Sequence, residues 1–528
     1  MDRRKFIGNS IKACVVSAVS GGMITNALAK SSFLQAISGS CTDKILVLIQ
    51  MNGGNDGLNT VIPLDQYSLL SSVRSNILIP ENKVLTTSKY NATGFHPSAT
   101  GLHQLFEESK LSVVQGCSYN NPDLSHFRAT DIWMTGSDSN EYLKTGWIGR
   151  NLDELYPGWP DEYPNDEHPD PLAIQMGSTT ALGLEGASAS FGIATTNITS
   201  DYALLSGFGD PSPSGYAGCY LDYIRTVAVN TDKYNARIVE AANNQKTNMS
   251  SLYGSGSVSN QLKNVARLIK GGLQTRVYVV SLSGFDTHAM QIEGDTTSGV
   301  HASLLKEISE GVRGFQDDIE KMGVNDRVTG MVFSEFGRRV NSNGSNGTDH
   351  GEAMPVMLFG SELKGDMYGT NPNLSNGKGG VVDNVPLQYD YRCVYYSLLK
   401  DWFALSNNQL SNVFGGKEYE YIELFKPESI CDVISGANTQ VDQTTDRLLD
   451  VYPTAIDESG IIPFYSSGGD VQLNLYDISG HKISTIMESS VTAGSHRVTI
   501  ERNNLKSGMY LIEMKTNNNR FTKKMIVN

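Results

Sequence analysis

Five short apolar runs constrain this chain more than anything else in it: KILVLIQM (44–51), LSVVQG (111–116), RVYVVSL (276–282), RVTGMVFS (327–334) and PVMLFG (355–360). Their length and continuity read as buried strands. Between them lie stretches of helical period. From Val300 to Met322, apolar side chains at Leu304, Leu305, Ile308, Val312, Phe315, Ile319 and Met322 recur at steps of three and four. Leu262, Val265, Ala266 and Ile269 form a shorter stripe, and Tyr391 to Leu405 reads as another buried helix. This alternation over residues 43–430 predicts an α/β domain built on a mainly parallel sheet. Residues 152–215 break it. LYPGWPDEYPNDEHPDPL is dense in Pro, Asp and Glu and reads as a surface excursion or cap, with His168 solvated inside it.

In an open parallel sheet, ligands gather beyond the carboxyl ends of the strands. The chemically capable residues of this chain follow its runs directly. LVLIQM leads into NGGNDGLN with Asp56; LSVVQG leads into CSYNNPDLSHF with Ser125 and His126; VYVVSL leads into SGFDTH with Asp286 and His288. GMVFS leads into EFGRR and then GTDHG, with Glu335, Arg338, Arg339, Asp349 and His350. Carboxylates and imidazoles in such a set suit zinc or manganese, with calcium or magnesium as further candidates. One or two ions of this kind clamp the oxygens of a tetrahedral ester. In an extended Asp286-Thr287-His288 the i, i+2 pair falls on one side. Ser125 is a candidate nucleophile, with a metal-bound water as the other, and Arg338 and Arg339 offer fork-shaped donors to an anion.

Each residue has a plainer reading. Asp56 can hold a tight turn, and Ser125 can cap the helix that HFRATDIWM begins. Glu335 can pair with Arg338 or Arg339 across a turn. His126 reads as structural or supporting, and His96 and His103 as satisfied histidines.

With 56 Asp plus Glu against 42 Lys plus Arg, the formal charge of −14 argues against a nucleic-acid partner. It leaves room for a small anionic ester, because a bound cation inverts the local field. No apolar run approaches the roughly 20 residues of a membrane-spanning helix. The N-terminal MDRRKFIGNS, with Arg3-Arg4 ahead of Phe6-Ile7, resembles a twin-arginine export signal, and Ala27-Leu28-Ala29 supplies a cleavage site, so residues 1–29 read as a signal. Cys14 falls within it. Cys41, Cys117, Cys219, Cys393 and Cys431 include no C-x-x-C, which argues against a zinc-thiolate site and leaves any disulfide pairing open.

The character changes after a linker at 431–452. Residues 466–528 hold eight Lys plus Arg against five Asp plus Glu, and Val471, Leu473 and Leu475 alternate as in a half-buried strand. Further short strands separated by Gly and Asn turns predict a small antiparallel β-sandwich over 453–528. Its pieces LYDISGHKI, AGSHRVTI, LKSGMYLIEM and FTKKMIVN resemble the C-terminal sorting domain of the type IX (Por) secretion system of Bacteroidetes. The resemblance implies that the secretion machinery is a partner and that the cargo reaches the cell surface or beyond.

The main domain also carries a resemblance. LVLIQMNGGNDGLNTVIP, GFHPSATGLHQLF, LSVVQG, SHFRATDIWMTG, TGWIGR, GFDTH, FSEFGRR, GTDHG and YDYRCVYYSLLKDWF resemble domain of unknown function 1501, a branch of the alkaline-phosphatase-like superfamily. The resemblance implies an α/β/α sandwich and two-metal hydrolysis of phosphate or sulfate esters. It makes Asp56 the opening metal ligand, Ser125 the nucleophile region, Asp286 and His288 ligands of one ion, and His350 a late ligand. An Asp-His pair usual directly after one strand is replaced here by Ser334-Glu335-Phe336. Either Glu335 substitutes, or Asp349-His350 is the pair displaced along the loop. The lack of C-x-P-x-R around Cys117 argues against a formylglycine sulfatase.

The sequence thus leads to an exported, metal-dependent hydrolase acting on a small-molecule or glycan ester of phosphate or sulfate. Its rival is a non-catalytic surface protein that keeps the fold and one structural cation. A third reading, a glycan-binding protein, would draw on the segment from Trp147 to Trp159.

Overall fold

The computed structural model describes residues 43–200, 231–430 and, with short gaps, 446–527. The export signal read at 1–29 and most of the linker at 431–452 lie outside the described residues, as do Cys14, Cys41, Cys219 and Cys431.

A nine-stranded sheet runs through the main body, with Ile45–Asn52 near its centre. That strand pairs in parallel with Val277–Ser283 on one side and Val328–Ser334 on the other. Beyond Val277–Ser283 come Ala173–Met176 and Gly192–Thr195, also parallel. Beyond Val328–Ser334 comes Met354–Phe359, which runs the opposite way and pairs antiparallel with Leu111–Ser118 as well. Met367–Tyr368 and Tyr389–Asp390 pair in parallel with Leu111–Ser118, so eight of the nine strands point one way and a single internal strand reverses: the mainly parallel sheet expected from the sequence is present.

Alternation along the central strand explains the layers. Val47, Ile49 and Met51 enter one core with helices Thr100–Glu107, Ser257–Lys270 and Val300–Lys321. Leu46 and Leu48 enter the other with His126–Thr135, Trp147–Leu155 and Tyr391–Ser397. Period 2 in a strand sends neighbours to opposite faces, and helices cover both, which gives the α/β/α sandwich. The stripe read over Val300–Met322 is the helix Val300–Lys321, with Leu305, Ile308, Val312, Phe315 and Ile319 fully buried.

Of the segment 152–215 read as a surface excursion or cap, 201–215 lie outside the described residues, and the rest contributes the last two strands on this side of the sheet, Ala173–Met176 and the edge strand Gly192–Thr195. Four residues each among prolines and glycines carry too little periodicity to stand out. His168 is half-buried against Tyr156, with ring centroids 5.1 Å apart.

The C-terminal segment forms a three-stranded and a five-stranded sheet. Gly469–Asp477 pairs antiparallel with both Lys482–Val491 and Gly508–Thr516. Val471, Leu473 and Leu475 point into a small core with Ile462, Phe464, Ile512 and Met514. Cys117 and Cys393 are buried free thiols in the main body. No helix among the described residues is long and apolar enough to cross a membrane.

Candidate metal centre

Four loops meet where the parallel strands end. After Ile45–Asn52 the chain turns through Gly53 and Gly54, both at positive φ. A Cβ on Gly53 would stand 2.2 Å from the backbone nitrogen of Asp286. Glycine is required here because the loop after Val277–Ser283 passes directly against it. The third loop follows Val328–Ser334 and leads through Glu335 into a hairpin, where Arg338 stands opposite His350. The fourth brings Ser125 and His126 to the start of helix His126–Thr135.

Arg338 fastens these loops together. Its guanidinium is buried and donates to the carbonyl oxygens of Gly54 at 2.7 Å, Thr348 at 2.9 Å and Phe285 at 3.1 Å, and also to that of Gly53. It donates to Asp286 Oδ1 at 2.6 Å as well. Read from the sequence as an anion holder, it is here a bracket between backbone segments. The neighbouring Arg339 is exposed, with its side chain turned toward solvent beside the same hairpin.

Asp286 is the hub. Burial pushes its carboxyl upward, but the hydrogen bond and charge of Arg338, with help from His350 and His288, hold it below the usual carboxylate range. Three imidazoles face it: Nε2 of His288 lies 3.2 Å from Oδ1, Nε2 of His350 3.3 Å from Oδ1, and Nε2 of His126 3.5 Å from Oδ2. The opposite ring nitrogen of each has its own acceptor. His126 Nδ1 lies 2.8 Å from Glu335 Oε1, His350 Nδ1 2.8 Å from the carbonyl of Leu124, and His288 Nδ1 3.4 Å from Asp349 Oδ1. An acceptor at Nδ1 puts the proton there and leaves the Nε2 lone pair for a cation, the arrangement that orients metal-binding histidines. Burial also lowers the His350 pKa, favouring the neutral ring.

Among the described residues, His126, Asp286 and His350 form the one group whose three ligand atoms all lie within 4.8 Å of one another. Donors bound at about 2.0–2.1 Å around a tetrahedral ion stand about 3.3 Å apart. The 3.3 and 3.5 Å separations fit that spacing. His126 Nε2 is buried without a hydrogen-bond partner, an orphaned acceptor that a cation would satisfy. The residues present therefore fit a divalent ion.

The other sequence-read residues fall around this group. Glu335 is buried and accepts from Gly53 N at 2.8 Å and Ser334 Oγ at 3.0 Å besides His126, so it holds the His126 ring from behind. Asp349 is half-exposed and accepts from Asn343 Nδ2 at 3.1 Å, standing behind His288 in the same way. Asp56, read as the opening ligand, does not join them. It is fully buried, ion-paired to Arg74 at 3.0 Å, and receives Gln291 Nε2 at 2.7 Å. Ser125 occupies the N-cap position, yet its side chain makes no capping hydrogen bond and the residue is exposed.

His126, read as structural or supporting, has its Nε2 directly beside Asp286, 3.5 Å from Oδ2. Its position one residue after Ser125 hinted at this, but its anchor Glu335 lies 209 residues away.

Residues 227–410 match the family model DUF1501, described as a protein of unknown function, and residues 450–528 match that of the secretion system C-terminal sorting domain. Both resemblances carried by the sequence are thus present, one in the main body and one at the C-terminus. The sorting domain marks the protein for export to the cell surface or beyond, and implies interaction with the type IX secretion machinery. No curated protein matches the chain by sequence.

Among solved structures, Ps i-CgsB in complex with k-i-k-neocarrahexaose is 11% identical, covering 69% of this chain and 73% of that one at a TM-score of 0.30. A protein of Bacteroides thetaiotaomicron described in the metabolism of multiple glycosaminoglycans is 9% identical, covering 91% and 88% at 0.33. A sulfatase from Pseudoalteromonas sp. is 11% identical, covering 90% and 87% at 0.24. Scores this low carry no weight for function.

Proposed function

We propose that this protein is an exported metal-dependent hydrolase of phosphate or sulfate esters, with His126, Asp286 and His350 as the ligands of one divalent ion, zinc first among the candidates. The observation that carries this reading is the orphaned Nε2 of His126, aimed at Asp286 and fixed from behind by Glu335. His288 stands beside this group, its Nε2 3.2 Å from Asp286 Oδ1 and its Nδ1 held by Asp349. A bound divalent ion supplies charge neutralisation and Lewis acidity toward an anionic ester.

The chain's own residues supply the rest. Ser125 is the proposed nucleophile. Its neighbours on both sides are tied into the centre, Leu124 through its carbonyl to His350 and His126 through its ring. Its hydroxyl is uncommitted, and the N-terminus of a ten-residue helix favours negative charge developing there. Arg339, exposed beside Asp349, is the cation available to the ester's free oxygens, since Arg338 is spent on backbone carbonyls.

Assay of the secreted protein against aryl phosphate, phosphodiester and aryl sulfate panels tests this. Turnover of at least one ester, lost in Ser125→Ala and on metal removal, is expected. Turnover unchanged in Ser125→Ala would remove the serine from the chemistry.

A second reading has its own support. Asp56 is neutralised by Arg74, and among the described residues only one ligand group is present, as suits a surface protein holding a single structural cation. Stoichiometric metal with no turnover across the panel would favour it.

A further inference from the structure

The two loops that carry Asp286, His288 and His350 are joined beneath the surface by one carboxamide. Gln291 is 1% exposed. Its Oε1 accepts from Thr287 Oγ1 at 3.0 Å and from Thr348 Oγ1 at 3.0 Å, and its Nε2 donates to Asp56 Oδ2 at 2.7 Å. Thr287 sits between Asp286 and His288, and Thr348 two residues before His350. Both threonines and Asp56 are themselves buried.

The geometry is directional at every step. A carboxylate accepts only, so Asp56, held ionised by Arg74, fixes which end of the carboxamide is Nε2. That leaves Oε1, with two lone pairs, facing two hydroxyls, and both must donate. One oxygen thereby sets the spacing between the loop after Val277–Ser283 and the hairpin. Backbone bonds run alongside: Thr348 N donates to Thr287 O at 3.1 Å and Gln291 N to Asn346 O at 2.9 Å.

We infer that Gln291 is a positioning residue for the metal centre, setting the separation of Asp286 and His288 from His350 through Thr287 and Thr348, with the Asp56–Arg74 pair as its fixed anchor. The inference rests on the reading of the site as a metal centre. It also gives buried Asp56 a part in the centre at one remove, through Gln291 rather than by coordination.

Titration of the full-length secreted protein with Co²⁺, followed by its visible absorption and by calorimetry, tests it in three variants. Gln291→Met removes the bridge, Thr287→Val with Thr348→Val removes both hydroxyl donors at nearly constant shape, and Thr287→Ser with Thr348→Ser keeps them. The first two are expected to weaken Co²⁺ binding about 10- to 100-fold, as loss of supporting hydrogen bonds does elsewhere, and to change the cobalt spectrum. The serine pair is expected to restore affinity to within a few fold of wild type.

Should Gln291→Met not fold, the two threonine pairs still decide the matter, because they differ in the hydroxyl donors. Valine and serine pairs that bind Co²⁺ equally, with one spectrum, would overturn the inference and leave the metal centre standing. Wild type that binds no Co²⁺ would overturn both.

Discussion

Glu335 accepts a 2.8 Å hydrogen bond from Nδ1 of His126 across 209 residues of chain, and so turns the other ring nitrogen toward Asp286. Glu335→Ala removes the acceptor that fixes this tautomer. A cation affinity weaker by about 10- to 100-fold is expected, measured by competition with a chelating dye. Glu335→Gln still offers an acceptor and should lose less. Equal affinity in all three proteins would show that His126 needs no such support.

The Asp56–Arg74 pair is fully buried on both sides. Arg74→Met strands a carboxylate in the core and should cost about 3–5 kcal/mol in urea unfolding. Adding Asp56→Asn removes the stranded charge and should recover part of that loss. If Asp56 were instead a metal ligand, Arg74→Met would leave it free to bind, and added cation would restore the stability.

The apolar runs make the sheet legible, because runs of six to eight residues rich in Val, Ile and Leu leave little but a doubly covered strand, and the strand-end rule then draws Asp286, His288 and His350 to one rim. Asp56 obeys the same rule and so reads as one of them. Its partner Arg74 closes a helix, Tyr67–Arg74, whose sequence gives no sign that its last residue turns into the core. Arg338 was equally hidden, since most of its acceptors are backbone carbonyls, which have no residue type to read. The role of His126 is hidden because its partners, Glu335 and Asp286, lie on other strands' loops.

Gly53 has φ of +123° and no room for a Cβ beside Asp286. Gly53→Ala should cost about 1–3 kcal/mol of stability from backbone strain. It should also displace Asp286, so that cation binding falls with stability. A variant that keeps wild-type affinity would mean that this loop does not set the carboxylate's position.

His96 and His301 are buried with their rings 5.9 Å apart, and burial takes their pKa values down to about 3 and about 4. In the unfolded chain each titrates near 6.5. Below that value the unfolded state binds more protons, so stability is full above about pH 6.5 and falls as pH drops toward the folded values. Each histidine contributes up to about 1.4 kcal/mol per pH unit in that window. Urea unfolding between pH 7 and 5 should show this decline, and His96→Gln should remove close to one histidine's share of the slope. An unchanged slope would place the proton uptake elsewhere.

Anomalous X-ray diffraction from crystals of the secreted protein, with data above and below the zinc edge, bears on the metal centre most directly. A single peak is expected about 2.0–2.2 Å from Nε2 of His126, Nε2 of His350 and the carboxylate of Asp286. No peak among these three, in crystals grown with zinc, or a peak held by Asp56 in place of Arg74, would contradict it.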